Sequence, residues 1–473
     1  MNRNLGAILG AGLVLRFLLL GKRQLTTDEL TQVLVVHEPS FRGMMERLRG
    51  GMAIPAPLDY LIQKGVVLLL GESTWSLRLH AALLGAASLW FFFRIARLLF
   101  GRRIAFYATT LFALYPLHHH HSQEGRPYAL LVFLTLASYD LFLQGVCGKR
   151  SGWRFWALLC LIQVLLLYGS FLGLLVIASQ FIGLVGAAMI SARPEGRETP
   201  EVVPRPDRSH IYCYALVAVV ACVLFVPWVR FGWSKPRYSP PSEVADPKIV
   251  LRLVKEIGDN SYPISGLLLI GAGLGIRRLA RQGRARTLWF LLSWLLLSLP
   301  AVLLLELWSG YYFAIRHILH STPPLILLAG YGMVWVGERF GAAPARIGSP
   351  ALGYATVLLI MLAWTAWVHG RAEPSDWREA AAYLEKAAGK DDAVAIPKVY
   401  PLVEYYAPSL ASFRSNAGEP EADFAAEGGK DRFVLCCDKL FPDPCAGFRE
   451  KALADPAWKL VQFRGLTLFR RAK

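Results

Sequence analysis

The chain has 473 residues, of which 55% are hydrophobic and only 18% are charged, and its mean hydropathy is +0.39. One soluble core could not bury that much apolar surface, so the composition excludes a soluble globular protein and predicts a polytopic membrane protein. The net charge of +17 would suit a nucleic-acid ligand, but the basic residues form short clusters between apolar segments. That distribution is typical of loops that face anionic lipid, so we expect no nucleic-acid partner.

Two adjacent carboxylates, Asp28 and Glu29, follow the first apolar segment of the chain, Leu5–Leu20. Beyond them, the stretch Phe41–Leu48 is amphipathic, as in a helix that lies on the membrane surface. A carboxylate pair at this boundary is placed to act on a substrate that meets lipid. The alternative is that the pair forms the first turn of a helix capped by Thr27, where acidic residues are favoured.

Eleven apolar segments can cross a bilayer if their polar flanks are included. They are Leu5–Leu20, Trp75–Phe93, Ile104–Leu117, Pro127–Leu143, Phe155–Leu167, Phe171–Ile190, Ile211–Trp228, Ile264–Ile276, Leu288–Leu305, Leu319–Val336 and Ala351–Val368. The stretch Pro55–Leu70 is ambiguous, because it is apolar but carries Asp59, Gln63 and Lys64. Whether it crosses decides the side of every later loop.

If Pro55–Leu70 does not cross, the basic clusters of the later loops all share one side, which the positive-inside rule makes cytoplasmic. These clusters are Arg94, Arg97, Arg102 and Arg103; Lys149, Arg150 and Arg154; Arg193, Arg197, Arg205 and Arg208; and Arg277, Arg278, Arg281, Arg284 and Arg286. The same choice places the unusual polar stretches together outside: Asp28-Glu29, the loops 118–126, 231–262 and 308–317, and everything after Val368. We therefore predict a cytoplasmic N-terminus and an extracytoplasmic active site and C-terminal domain.

The loop before the helix at Pro127 contains four consecutive histidines, His118–His121, followed by Glu124 and Arg126. Consecutive residues cannot all face one ion, so a dedicated metal site is the weaker interpretation of the histidines. Arg126 stands beside a helix N-terminus, whose free N–H groups and partial positive charge favour anions. The alternative is that Arg126 reaches lipid headgroups at the interface.

Arg316 and His317 precede an apolar segment that carries Pro323 and Pro324. They lie at the predicted outer membrane boundary, where an ionisable residue is a functional candidate. Arg16, inside the first apolar segment, is close enough to the outer end to extend its side chain into the headgroup region.

The tail from Arg371 predicts a separate soluble α/β domain, so we divide the chain into residues 1–370 and 371–473. The pattern gives a helix over Asp376–Ala388 capped by Asp376 or Ser375, strands at Ala393–Ile396 and Phe433–Cys436, a helix around Lys451–Leu453, and a hairpin of Trp458–Phe463 with Leu466–Phe469. The tail also contains three clustered cysteines. In an oxidising compartment we expect Cys445 to form a disulfide with Cys436 or Cys437.

The order of these features resembles the GT-C superfamily of integral-membrane glycosyltransferases. The resemblance rests on Asp28-Glu29, Pro55–Tyr60, Leu77–Leu79 and Ser122–Leu130, and it is strongest to bacterial relatives of the protein O-mannosyltransferases and the lipid A aminoarabinose transferase. Arg316-His317 and Asp376–Leu384 are similar to later parts of the family. Ala56 stands where the family has a proline, and His317 where it has a tyrosine. The implied fold is an all-α membrane domain of about 11 transmembrane helices with a small soluble α/β domain.

The resemblance also implies a reaction at the extracytoplasmic face of a bacterial cytoplasmic membrane. A sugar would pass from a polyprenyl-phosphate donor to a glycan, lipid or protein acceptor, with inversion at its anomeric carbon. By this analogy Asp28 would be the general base, and Glu29 would orient the acceptor or Asp28.

The same analogy gives the donor a binding site. Arg126 and Arg316, with Lys64 as a weaker candidate, would bind its phosphate, and His317 would alter the contacts there. Glu124 would serve as a second acid or a metal ligand. The family is divided on metal dependence, so no cofactor is assigned and a divalent metal stays open.

Two other classes of function remain as alternatives. A transporter or flippase of lipid-linked sugars would also place arginines and carboxylates near the membrane, but it should show internal repeats, and none is evident in the sequence. A non-catalytic protein of envelope polysaccharide assembly could keep the same architecture.

Overall fold

The computed structural model describes residues 3–49, 56–148, 152–190, 201–232, 248–309, 314–340, 350–370, 375–389, 392–395, 405–407, 409, 431–438 and 445–471. The chain divides into two compact units. The first contains residues 1–20 and 35–369, and the second contains residues 21–34 and 370–473. Segment 21–34, which we predict from the sequence to belong to the membrane domain, therefore groups with the C-terminal residues.

The described residues are mostly helical. The helices are α1 (Arg3–Phe17), α2 (Thr27–Val36), α3 (Phe41–Arg49), α4 (Pro57–Leu70), α5 (Thr74–Phe100), α6 (Arg102–Ala113), α7 (Pro116–His121), α8 (Tyr128–Val146), α9 (Trp153–Gly169), α10 (Gly173–Met189), α11 (Arg208–Gly232), α12 (Lys248–Ile257), α13 (Tyr262–Arg281), α14 (Ala285–Leu296), α15 (Ser298–Ser309), a 3-10 helix (Ile315–Ser321), α16 (Thr322–Phe340), α17 (Pro350–Gly370), α18 (Trp377–Ala387) and α19 (Ala446–Ala454). The strands are β1 (Ala393–Ala395), β2 (Arg432–Cys437), β3 (Trp458–Phe463) and β4 (Leu466–Arg471).

Apolar helices of membrane-spanning length confirm the prediction of a multi-pass helical domain. Within the described residues, five stretches are long and apolar enough to cross a bilayer: Thr74–Phe100, Tyr128–Val146, Arg208–Phe231, Tyr262–Arg281 and Ala285–Trp308. Shorter apolar helices lie at Leu5–Phe17, Trp153–Gly169, Gly173–Met189 and Val357–Val368. Two predicted segments are interrupted: Ile104–Leu117 at Leu114 and Tyr115, between α6 and α7, and Leu288–Leu305 at Leu297, between α14 and α15.

Helix α4 is the ambiguous stretch of the sequence. Its 14 residues rise about 21 Å, which is less than the roughly 30 Å of a hydrocarbon core. Asp59 on α4 is fully buried and lies 3.3 Å from Nε2 of His80 on α5. Since an uncompensated buried charge is costly, this pair holds α4 against α5.

Close packing of helices in the first unit depends on glycine. Helices α13 and α16 approach each other at Gly271, Gly275 and Gly332, where a Cβ atom on Gly275 would lie 2.2 Å from the Leu328 carbonyl oxygen. Small residues let membrane helices approach closely enough for extensive van der Waals contact. Nearby helices are joined by polar side chains, as where Gln163 donates to the hydroxyl of Tyr214 at 3.1 Å.

The second unit contains a four-stranded sheet in the order β1-β2-β4-β3. Strand β1 runs parallel to β2, and the other pairs are antiparallel, with β3 and β4 joined through Gly465 at φ 67°. Asp376 caps α18 by accepting from the Glu379 N–H. These elements confirm the predicted small C-terminal α/β fold and the cap of its first helix. The disulfide prediction was wrong for this structure, because all three cysteines of the tail are thiols. Cys436 and Cys437 are buried in β2, and Cys445 is buried directly before α19.

Segment 21–34 joins the second unit through main-chain and side-chain hydrogen bonds. The Gln24 amide accepts from the Arg378 N–H at 3.2 Å and donates to the Ser375 carbonyl at 3.1 Å, so it satisfies groups at the start of α18. The Leu25 N–H donates to the Tyr406 hydroxyl at 2.8 Å. The segment that carries the acidic pair is therefore held by the C-terminal residues.

Candidate active site

The acidic pair begins α2, and its two members have different environments. Glu29 is buried, and its carboxylate accepts from the Thr26 N–H at 2.8 Å, while its own N–H donates to Oγ1 of Thr26 at 3.2 Å. This reciprocal arrangement is a capping box, which satisfies two N–H groups at the helix start. The cap is therefore Thr26, one residue before the predicted Thr27, and Glu29 has a structural contact of its own.

Asp28 lies beside Glu29 in sequence but is exposed. Its backbone carbonyl accepts from Oγ1 of Thr31 at 2.7 Å, which tightens the first turn of α2. The capping box and the Thr31 contact hold the first turn of α2 in place, so the exposed Asp28 carboxylate can contact a substrate while the helix stays intact. Of the two acids, Asp28 is the one whose environment suits contact with an acceptor.

The loop between α7 and α8, residues 122–126, is fixed by neighbours in the first unit. The Gln123 amide donates to carbonyl oxygens at the end of α1, those of Arg16 at 3.1 Å and Leu18 at 2.9 Å. Gly125 has no room for a side chain, because a Cβ atom would lie 2.9 Å from both Nε2 of Gln63 and the Leu77 carbonyl oxygen. This loop is consequently a rigid support for the residues that follow it.

Arg126 lies at the end of this loop, two residues before α8 begins. It is 6% exposed, and its guanidinium carbon lies 5.9 Å from the centre of the Tyr128 ring. The Tyr128 ring in turn lies 6.5 Å from the His317 ring and 5.1 Å from the His121 ring. The structure thus brings Arg126 and His317, which are far apart in sequence, close to the same tyrosine.

His317 is kept neutral at this position. Burial and the nearby positive charges of Arg316 and Arg126 lower the pKa of His317 to about 3. Its Nδ1 accepts from the Ala314 N–H at 3.3 Å, so the ring proton lies on Nε2 and makes that nitrogen a donor. The neutral ring can donate a hydrogen bond to an anion without transferring a proton to it, and the two arginines supply the positive charge.

The four histidines do not all meet at one point, because His118 contacts Arg16 whereas His120 and His121 both contact Glu124. His118 accepts from the Arg16 guanidinium at 2.8 Å, whereas His120 lies 3.2 Å from Asp259 and His121 lies 2.6 Å from Glu124. Arg16 is fully buried, so it contacts His118 and does not extend to the headgroup region. Within the described parts of the chain, no group of three or more His, Cys, Asp or Glu side chains has an arrangement that could hold a metal ion.

Glu124 belongs to a partly buried charge cluster with His120 and Asp259, whose side chains are 18%, 27% and 7% exposed respectively. Burial opposes the charged form of His120, but hydrogen bonds to Asp259 and Glu124 outweigh it and raise the pKa of His120 to about 10. Burial also opposes ionisation of Glu124, yet the charge of His121 and the hydrogen bonds of the histidines hold the pKa of Glu124 well below its usual range. Glu124 is therefore a carboxylate at neutral pH, which disfavours the predicted role of a general acid.

Asp259 was not predicted from the sequence. It follows α12 with a φ of 54°, and Asn260 follows with a φ of 67°. Such left-handed conformations are uncommon outside glycine, although Asp and Asn adopt them more readily than other residues. The turn brings the Asp259 carboxylate to His120, a contact that sequence spacing does not reveal.

Lys64 donates hydrogen bonds to backbone carbonyls of the first unit. Its ammonium group donates to the Val36 carbonyl at 3.0 Å and to the Glu38 carbonyl. Lysine commonly satisfies free carbonyls at the end of a helix, here α2. Within the first unit, Arg126 and Arg316 both act electrostatically on His317, whereas the contacts of Lys64 are with the end of α2.

Comparisons with known proteins support this architecture. Residues 55–231 match the model of the dolichyl-phosphate-mannose-protein mannosyltransferase family. The structure of ArnT from Cupriavidus metallidurans in the apo state is 14% identical, with a TM-score of 0.58 over 98% of this chain and 97% of that one. The chain resembles the GT-C superfamily of membrane glycosyltransferases. No curated protein sequence matches it.

Two further solved structures have folds similar to that of this chain. ArnT from the same organism bound to undecaprenyl phosphate is 13% identical, with a TM-score of 0.58 over 98% of this chain and 97% of that one. The oligosaccharyltransferase of Archaeoglobus fulgidus in the apo form is 11% identical, with a TM-score of 0.55 over 92% of this chain and 69% of that one. At these identities the likeness concerns the fold.

Proposed function

We propose that the protein is a membrane glycosyltransferase that moves a sugar from a polyprenyl-phosphate donor to an extracytoplasmic acceptor, with inversion at the anomeric carbon. The observation that carries this proposal is the family match over residues 55–231, because it covers the loop that supports Glu124 and Arg126. The GT-C fold supports the same function, since ArnT has that fold and binds undecaprenyl phosphate.

The donor phosphate is assigned to the cluster around Tyr128. Arg126 and Arg316 supply positive charge, and the Nε2–H of His317 supplies a neutral donor. As the bond between the anomeric carbon and the phosphate oxygen breaks, negative charge grows on the leaving phosphate. Donors already held in place stabilise that charge more effectively than water, which must reorient.

Asp28 is assigned as the general base. An acceptor hydroxyl or amine attacks the anomeric carbon from the face opposite the phosphate, its proton passes to the Asp28 carboxylate, and polyprenyl phosphate leaves. Such proton transfer typically contributes about 10² to 10⁴ in rate. Glu29, which holds the capping box of α2, orients Asp28 by fixing that turn.

The proposed topology follows from charge. We assign about 11 spans, with α4 not crossing, a cytoplasmic N-terminus, and the acidic pair and C-terminal unit outside a bacterial cytoplasmic membrane. The clustering of arginines in the loops of one side supports this assignment. The residues that we assign to catalysis then share the extracytoplasmic side.

The experiment that tests the function detects polyprenyl phosphate, which every polyprenyl-phosphate sugar releases when its sugar is transferred. Purified protein is mixed with lipid-linked sugars and envelope acceptors extracted from membranes, and mass spectrometry follows the release of polyprenyl phosphate. We expect release that requires both extracts. Movement of intact lipid-linked sugar across vesicle membranes, without release, would instead identify a flippase and contradict the proposal.

A further inference from the structure

A polar pocket lies at the other end of α13 from the Asp259 turn. With 20 residues, α13 separates the two places by roughly 30 Å. The pocket has a volume of about 410 Å³ and lies between the C-terminal ends of α13 and α16. Its lining residues are Arg278, Arg281, Gln282, Trp335, Glu338 and Arg339.

The pocket is strongly electropositive. Three arginines and one carboxylate line it, and that carboxylate, Glu338, is already engaged. Its Oε2 lies 3.1 Å from Nη2 of Arg278, and its Oε1 lies 3.2 Å from Nη1 of Arg103. The charge of Arg281 and Arg339, which are exposed, is therefore not neutralised by the lining. A ligand with one or two negative charges would balance it.

The walls of the pocket are held in place by packing. The glycine contacts of α13 and α16 fix the two helices directly before the lining residues begin. The Arg278 guanidinium carbon lies 4.5 Å from the centre of the Tyr331 ring, and the Tyr331 hydroxyl donates to Oε1 of Gln282 at 2.6 Å. A preorganised basic pocket loses little side-chain entropy when an anion binds, which favours specific binding over a diffuse attraction.

We propose that this pocket binds the phosphate headgroup of an anionic membrane lipid. Arginine matches phosphate by its planar fork of donors, and Arg281 is the last residue of a membrane-spanning helix, where headgroups lie. Trp335 gives the same pocket an aromatic wall. Tryptophan is favoured at this depth because its ring packs on the upper acyl chain while its N–H reaches the headgroup. A soluble phosphate would gain nothing from that wall.

The test measures lipid binding to the full-length protein by native mass spectrometry. The probes are phosphatidylglycerol and phosphatidylcholine of equal chain length, with glycerol phosphate as a soluble competitor. We expect the protein to prefer phosphatidylglycerol at least about tenfold and Arg281→Gln/Arg339→Gln to lose that preference. The matched control is Arg97→Gln/Arg154→Gln, which removes the same charge from exposed arginines outside the pocket.

The outcomes separate specific binding from the alternatives. Equal binding of both lipids by the wild-type protein, or an equal loss in the control variant, would overturn the proposal in favour of a general charge effect. Displacement of the lipid by an equimolar amount of glycerol phosphate would also overturn it, because the site would then recognise a soluble anion. Thermal unfolding of each variant verifies folding, and Trp335→Leu, which keeps all charges, should weaken phosphatidylglycerol binding but not glycerol phosphate binding.

Discussion

The contrast between Glu29 and Asp28 yields a quantitative prediction. Glu29 accepts the Thr26 N–H at 2.8 Å and is 1% exposed, so replacing it affects the start of α2. Glu29→Gln keeps an acceptor oxygen and loses a negative charge at a helix N-terminus, which typically costs 0.3 to about 1 kcal/mol. Glu29→Ala also removes the acceptor, and loss of a capping interaction costs about 0.5 to 2 kcal/mol.

We therefore expect Glu29→Gln to lower the thermal unfolding midpoint slightly and Glu29→Ala to lower it more. Release of polyprenyl phosphate should fall by less than about tenfold in Glu29→Gln, which corresponds to less than about 1.4 kcal/mol of barrier. Glu46→Gln is the matched control, because Glu46 is exposed on α3. If Glu29→Gln abolished release at an unchanged unfolding midpoint, Glu29 would be the base and our assignment within the pair would be wrong.

Three further predictions concern other contacts. Arg126→Ala and Arg316→Ala should each weaken retention of undecaprenyl phosphate in native mass spectrometry about 10- to 150-fold, the loss of one charged hydrogen bond; unchanged retention in both would make them headgroup anchors. Because the pKa of His120 is raised from 6.5 to about 10, its stabilisation is complete below pH 6.5 and is lost as pH rises through about 10. The unfolding midpoint of the wild-type protein should accordingly fall more between pH 7 and 10 than that of His120→Gln, and parallel curves would refute this. Gln24→Ala should loosen the segment that carries the acidic pair, seen as faster hydrogen exchange over residues 25–30, with unchanged exchange contradicting the anchoring role.

Much of the architecture could be predicted because apolar segments are a strong, local signal. The hairpin around Gly465 and the cap at Asp376 were also predicted, since turn and cap chemistry depends on adjacent residues. The interruption at Leu297 was not predicted, because an apolar segment has the same composition whether its helix is continuous or broken. Composition sets the class of structure, while breaks depend on packing.

The site was harder to predict, because its contacts join residues that are distant in sequence. The pairing of Arg16 with His118 and that of His120 with Asp259 depend on how the helices pack, and no spacing rule gives them. The same holds for segment 21–34, whose place in the second unit depends on Gln24. A Thr-x-x-Glu capping box at Thr26 was visible in the sequence, and it would have identified Glu29 as a structural residue.

The activity of Asp28→Asn distinguishes a catalytic base from a surface carboxylate. Asparagine keeps the shape of the side chain and its hydrogen-bonding capacity, but it does not accept a proton at neutral pH. We predict that the variant retains undecaprenyl phosphate, unfolds at the wild-type temperature, and releases polyprenyl phosphate at least about 100-fold more slowly. Release within about tenfold of the wild-type rate would show that Asp28 is a surface residue of a capped helix and not the catalytic base.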